Sequence, residues 1–357
     1  MGVIFSVWML VSGNGASSQP TLRVEAAYRE PASAFEIIDN VSNWWPGYNE
    51  PEYRAFWETS FGIPETDAAL FSKYKILREK YFDKSGQNNS DPKTNRSGLF
   101  TDSTTLVADP IAYAFYHSQS FEEAYKRLGR LLSPDEAAFL RSFFNNFASR
   151  LARLNAEFEK EITGSLARTR QVLEDPNVVA YLHKLTGFVG IDQEVHFTAL
   201  YVWWPDTEKV RANPNGPFLL IRLKPHEGEK MNSADVIVHE AVHALLAAKA
   251  DSRKKEMSDA ILQSCPRVLD HTSRLRVIEE PIASILGNME FRRRFDPKRF
   301  AWGRQWYGDQ WVDLMARLLY PSVMEAIEKD QSLEQVVSKD AAALLRVGLN
   351  ALYPNDP

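Results

Sequence analysis

Apolar residues recur at helical spacing over most of the chain. The clearest run follows Ser133-Pro134-Asp135-Glu136, with a serine cap, a proline in the first turn and a glutamate three residues after the serine. Leu140, Phe143, Phe147, Leu151, Leu154, Phe158, Ile162, Leu166 and Leu173 then keep the helical period for about ten turns, until Pro176 limits it. Phe35 to Trp45 and Ala68 to Phe82 predict two earlier helices, and residues 254–352 read as helices too. The stretch Ser85-Gly86-Gln87-Asn88-Asn89-Ser90-Asp91-Pro92 is a polar loop. Strand signals appear only in the middle. Phe197 to Trp204 is β-branched and aromatic and ends at Pro205, Phe218 to Leu223 is a second strand, and Asn215-Gly216-Pro217 marks a turn between them. Asn232-Ser233 then caps an apolar helix. The pattern predicts an α+β fold, predominantly helical, with a small β-sheet preceding that helix.

The capped helix carries the chemistry. It reads Val236-Ile237-Val238-His239-Glu240-Ala241-Val242-His243-Ala244-Leu245-Leu246, with HExxH at its centre. Positions i and i+4 project from one face of a helix, so His239 and His243 are placed to bind one Zn2+ ion. Glu240 sits beside that ion without having to ligate it, which suits a general base that takes a proton from water. Between Asp235 and Lys249 it is the only charged residue. A charge in so apolar a helix is costly unless it is paired or used.

Catalytic zinc takes three protein ligands and leaves one position open. The extended pattern HExxHxxGxxH fails, because Leu246 and Lys249 hold the glycine and last histidine positions. Further on, Arg276-Val277-Ile278-Glu279-Glu280-Pro281-Ile282-Ala283-Ser284 brings two adjacent carboxylates into an apolar helical stretch. Here the chain, over roughly residues 194–290, resembles the gluzincin class of zinc metallopeptidases, in which a glutamate on a second helix is the third ligand. Glu280-Pro281-Ile282-Ala283 matches its Glu-x-x-Ala pattern, so the resemblance implies Glu280 as the ligand, with Glu279 the reserve. It also implies a zincin-like catalytic core and an edge strand that pairs with substrate backbone, either of the two expected strands. It further implies an oxyanion donor from the later aromatic region, where Tyr307, Tyr320 and His271 are candidates. Thermolysin-like members carry an aspartate four residues after the glutamate ligand to orient a zinc histidine. Ser284 stands there, so Glu279 or Asp235 is left to serve. Asp235 also reads as a first-turn acid suited to the helix dipole. The segment Phe35-Glu36-Ile37-Ile38 is similar to uncharacterised secreted bacterial proteins that carry an HExxH.

Composition narrows the partners. The net charge is −5 without a basic stripe, which argues against nucleic acid. Val3 to Val11 is apolar and Ala16-Ser17-Ser18 is small, which resembles a signal peptide over residues 1–18. The stretch is too short to span a membrane, so no stable span is expected. The expected organisation is a leader at 1–18, a helical N-terminal region at 19–190 and a catalytic region at 191–357. Cys265 is the one cysteine and cannot form an internal disulfide, so it reads as a small buried hydrophobe. Export to a bacterial periplasm or medium fits that usage. In a eukaryotic host, Asn40, Asn88 and Asn95 would be glycosylation acceptors. The expected activity is hydrolysis of a peptide or protein substrate. The rivals are a zinc hydrolase of non-peptide amides or esters, and a non-catalytic binding protein with a metallopeptidase fold.

Overall fold

The structure, a computed structural model, describes residues 21–46, 49–82, 109–206, 210–224, 233–268 and 277–354. The expected leader, the 85–92 loop, Asn88, Asn95, His226, Asn232 and His271 lie outside these residues.

Four strands form one mixed sheet in the order β1-β2-β4-β3. They are β1 (Leu22–Tyr28), β2 (Val195–Trp203), β3 (Arg211–Asn215) and β4 (Phe218–Leu223). β1 and β4 each run parallel to β2, and β3 runs antiparallel to β4. The two expected strands are therefore the central pair. Both faces of a central parallel strand are covered, which is why β4 is apolar along its length save Arg222. The edges depart from expectation. β1 arises in a stretch where no strand was expected; its alternation, Leu22, Val24 and Ala26 against Arg23 and Glu25, is broken by Ala27. β3 reads Arg-Ala-Asn-Pro-Asn. An edge strand is paired on one side only and so tolerates Pro214. The turn at Asn215-Gly216-Pro217 joins β3 to β4, with Gly216 at φ +60°.

Between β1 and β2 come α1 (Glu30–Ser42), α2 (Pro51–Phe61), α3 (Glu65–Tyr81), α4 (Pro110–Tyr116), α5 (Phe121–Leu128), α6 (Pro134–Leu173) and α7 (Pro176–Val189). The α6 capping box forms as the sequence predicts, with the Glu136 amide donating to Ser133 and the Ser133 amide donating to Glu136. Arg78 ties α1, α3 and the start of α4 together. It is fully buried, donates to Asp39 at 2.7 Å, and reaches both oxygens of Asp109 at 2.6 and 2.7 Å. Tyr74 and Trp44 complete the ring of donors around Asp39.

After the sheet come α8 (Ala234–Ala248), α9 (Asp251–Ser264), α10, α11 (Gln310–Glu328) and α12. α10 is α-helical over Glu279–Ala283, π-helical over Ser284–Glu290 and α-helical again over Phe291–Phe295. α12 likewise joins Leu333–Val336 and Ala342–Leu352 through a π-turn at Val337–Ala341. α8 is apolar around nearly its whole circumference, and it is buried against β3, β4 and α10. Cys265 is buried and unpaired. Among the described residues no helix is long and apolar enough to cross a membrane.

Candidate metal centre

α8 projects His239 and His243 from one face, with their Nε2 atoms 3.1 Å apart. α10 brings Glu280 to them. Its Oε2 lies 3.4 Å from His239 Nε2 and its Oε1 lies 3.6 Å from His243 Nε2. Ligand atoms bonded at 2.0–2.1 Å to one tetrahedral ion lie about 3.3–3.4 Å from each other. The three spacings bracket that value. Glu280 Oε2 is buried and accepts no hydrogen bond among the described residues, and a cation would answer it. His239, His243 and Glu280 together could hold a metal ion.

Glu279 takes the supporting place. The His243 Nδ1–H donates to its Oε1 at 2.8 Å, and the Glu279 side chain is fully buried. With the proton on Nδ1, the Nε2 lone pair faces the other ligands. Asp235 is engaged elsewhere, with Arg292 at 2.5 Å and Arg299 at 3.5 Å. Ser284 Oγ and His239 Nδ1 have no hydrogen-bond partner among the described residues. His239 is positioned by packing instead. The Tyr307 ring lies nearly parallel to the imidazole, with centroids 6.1 Å apart. On the other side Gly287 meets the backbone of His239 so closely that a Cβ would fall 2.5 Å from its nitrogen. α10 can approach only because residue 287 has no side chain. The π-turn sits at this contact, and the Tyr181 hydroxyl donates to the Leu286 carbonyl within it at 2.8 Å.

The electrostatics follow from two carboxylates and two imidazoles in one buried cluster. Burial works to lower His243, but its hydrogen bond to Glu279 and the nearby Glu280 carboxylate outweigh that and hold the imidazole well above its ordinary value. Burial works to raise Glu280, and the His239 and His243 imidazoles beside it overcome that and hold the carboxyl far below the usual range. A divalent cation at the centre of such a cluster would compete with protons for the same lone pairs. Glu240 stands apart. Burial raises its carboxyl above the usual range and Glu280 adds to this, against the pull of the two histidines.

Glu240 and His239 form part of the wall of a cavity of about 490 Å³. The opposite walls come from α1, through Glu36, Asp39 and Asn40, and from the β3–β4 hairpin, through Arg211, Asn213 and Arg222. Asn288, Arg292 and Tyr307 complete it. Of the expected oxyanion donors, Tyr307 is at the site. The Tyr320 hydroxyl donates to Glu290 at 2.7 Å in a separate cluster with Arg293 and Arg294. The cavity walls went unread in the sequence, though a signal existed. Glu36 and Arg222 each interrupt an apolar run, as Glu240 does.

No family model, curated protein or solved structure matches the chain.

Proposed function

We propose that the protein is a zinc metallopeptidase with a zincin-like core, in which His239, His243 and Glu280 hold the metal and Glu240 is the general base. One observation carries this reading: two helices distant in sequence bring three ligands to tetrahedral spacing, beside a fourth carboxylate on a cavity wall. Zinc held there would supply Lewis acidity, polarising the scissile carbonyl and lowering the pKa of water to about 7. Glu240 is 7% exposed and has no hydrogen-bond partner among the described residues. A carboxylate so buried is costly unless it has a task. Its raised proton affinity suits taking a proton from the attacking water and passing it to the leaving amine. Glu279 keeps His243 in the ligating tautomer. Tyr307, flat against His239 on the cavity wall, is placed to offer a phenol donor to the developing oxyanion.

A peptide is favoured over a small amide by the sheet edge. Neither central strand is free to pair, but β3 is an edge strand and Arg211, Ala212 and Asn213 line the cavity. An extended substrate can add to that edge by main-chain hydrogen bonds.

The test is metal analysis of purified wild type and Glu240→Gln, with hydrolysis of a mixed peptide library by each. Both should hold one zinc per chain, and only wild type should cleave. Loss of zinc in a folded Glu240→Gln protein would show that Glu240 is a ligand and not the base. Failure of the zinc-loaded wild type to cut any peptide would remove the peptidase assignment.

A further inference from the structure

Resting on that reading, the cavity also says which substrate group it accepts. Glu36 on α1 and Arg222 on β4 meet on its wall, 4% and 8% exposed. Arg222 Nη2 donates to Glu36 Oε2 at 2.7 Å and Nε donates to the same oxygen at 3.2 Å. Arg222 Nη1 donates to Asn213 Oδ1, and the Tyr116 hydroxyl donates to Glu36 Oε1. Apart from Glu240 and His239 of the candidate metal centre, the other charged groups on the walls are also answered. Asp39 and Asp109 are held by Arg78, Glu50 by Arg211 at 2.9 Å, and Arg292 by Asp235.

We propose that this cavity is a specificity pocket for an uncharged, hydrogen-bonding side chain, a carboxamide above all, read by the Glu36–Arg222 pair. A guanidinium has five N–H donors; among the described residues three go to Glu36 and Asn213 and a fourth meets the Tyr53 hydroxyl, which leaves one. Glu36 Oε2 is taken up by its two bonds from Arg222, and Oε1, which accepts from Tyr116, keeps acceptor capacity. The pair therefore presents donor and acceptor side by side with no net charge. A carboxamide brings an acceptor for Arg222 and a donor for Glu36 Oε1. A charged side chain would be desolvated against a pair already neutralised. An apolar one would leave buried donors and acceptors without water or partner, which costs more than a lost methylene contact gains. Asn288, the one residue of the π-turn that is not buried, adds a further amide from the wall beside Glu240.

The test is cleavage-site profiling of the zinc-loaded protein on a proteome-derived peptide library, read by mass spectrometry. At one subsite Gln or Asn should exceed Leu, Lys and Glu by at least about tenfold. Glu36→Gln leaves the Arg222 charge unanswered and should move that preference to Asp and Glu. Asn213→Asp, nearly isosteric and on the edge strand, adds a carboxylate at Arg222 and should move it toward Lys and Arg. If Glu36→Gln does not fold, Asn213→Asp decides. An apolar or charged preference in wild type, or a preference that neither variant moves, would overturn the pocket while leaving the peptidase reading intact. A wild type that cuts nothing would instead overturn the peptidase reading, and this assignment with it.

Discussion

Replacing Gly287 with alanine tests the geometry that brings the two helices of the candidate metal centre together. In an ordinary helix interior Gly→Ala stabilises by about 1 kcal/mol. At Gly287 the sign should reverse. The new Cβ would lie 2.5 Å from His239 N and 2.6 Å from both Cα and Cβ of that residue. Those are backbone atoms and a Cβ, with no flexible side chain to move aside. Carbon contacts settle near ~3.5 Å, so the helices must part by about 1 Å. Overpacking of this kind costs about 1–3 kcal/mol, enough to exceed the propensity gain. For a 357-residue chain at ~2.1 cal/mol/K per residue, a net loss of ~1 kcal/mol lowers Tm by roughly 1 °C. Glu280 rides on the same helix, so its 3.4 Å approach to His239 should lengthen as well. Zinc affinity should fall by about 10–100-fold, as for a ligand held out of place. Differential scanning calorimetry of the metal-free protein and chelator competition for zinc measure the two effects separately. An alanine variant that melts above wild type and binds zinc equally well would show that the two helices are not held at contact distance.

Three further outcomes follow from the same geometry. Glu279→Ala should keep zinc and lose about 10–100-fold in affinity, whereas Glu280→Ala leaves a two-histidine site and should lose more. The reverse order of zinc dissociation constants would exchange their roles. Arg78→Met leaves Asp39 and Asp109 buried without their cation and should cost about 3–5 kcal/mol in urea denaturation, and an unchanged midpoint would contradict the network. Tyr307→Phe keeps the ring against His239 but removes the hydroxyl, so zinc content should hold while kcat falls about 10²–10³-fold. Unaltered kcat would exclude the hydroxyl from catalysis.

Two features of the metal centre were legible in the sequence because each rests on local chemistry. HExxH needs only the helical period to put two imidazoles on one face. That only one of Glu279 and Glu280 can ligate needs only the ~100° turn between neighbours on a helix, which cannot aim both at one point; the choice of Glu280 rests on the Glu-x-x-Ala pattern of the gluzincin resemblance. The structure places Glu280 in the group that could hold a metal ion and Glu279 behind His243. Ala283 of the Glu-x-x-Ala pattern is buried, but it is Gly287, two turns beyond Glu280, that meets the His239 backbone. The π-turn that carries it has no signature in the hydrophobic period, because one widened turn leaves the apolar spacing nearly intact.

What stayed hidden was long-range. β1 is paired with β2 across more than 160 residues, and its own alternation is too short to announce a strand. β3 is polar and holds a proline, so propensity argues against the strand that tertiary pairing imposes. The cavity walls join α1 to the β3–β4 hairpin, and no spacing rule links Glu36 to Arg222. Yet each of those residues broke an apolar run, and the cost of burying a charge applies to them as it does to Glu240. Glu36 lies in Phe35-Glu36-Ile37-Ile38, and Arg222 lies in Phe218-Leu219-Leu220-Ile221-Arg222-Leu223. In the fold the two carry each other's charge at 2.7 Å and share one cavity with Glu240, which is left without a hydrogen-bond partner among the described residues. Under the function proposed above, the distinction follows from their tasks. A carboxylate that must move a proton cannot be tied to an arginine, because the fixed charge would lower its proton affinity and occupy its lone pairs. A pair that must recognise a neutral group does best when it is already neutral itself.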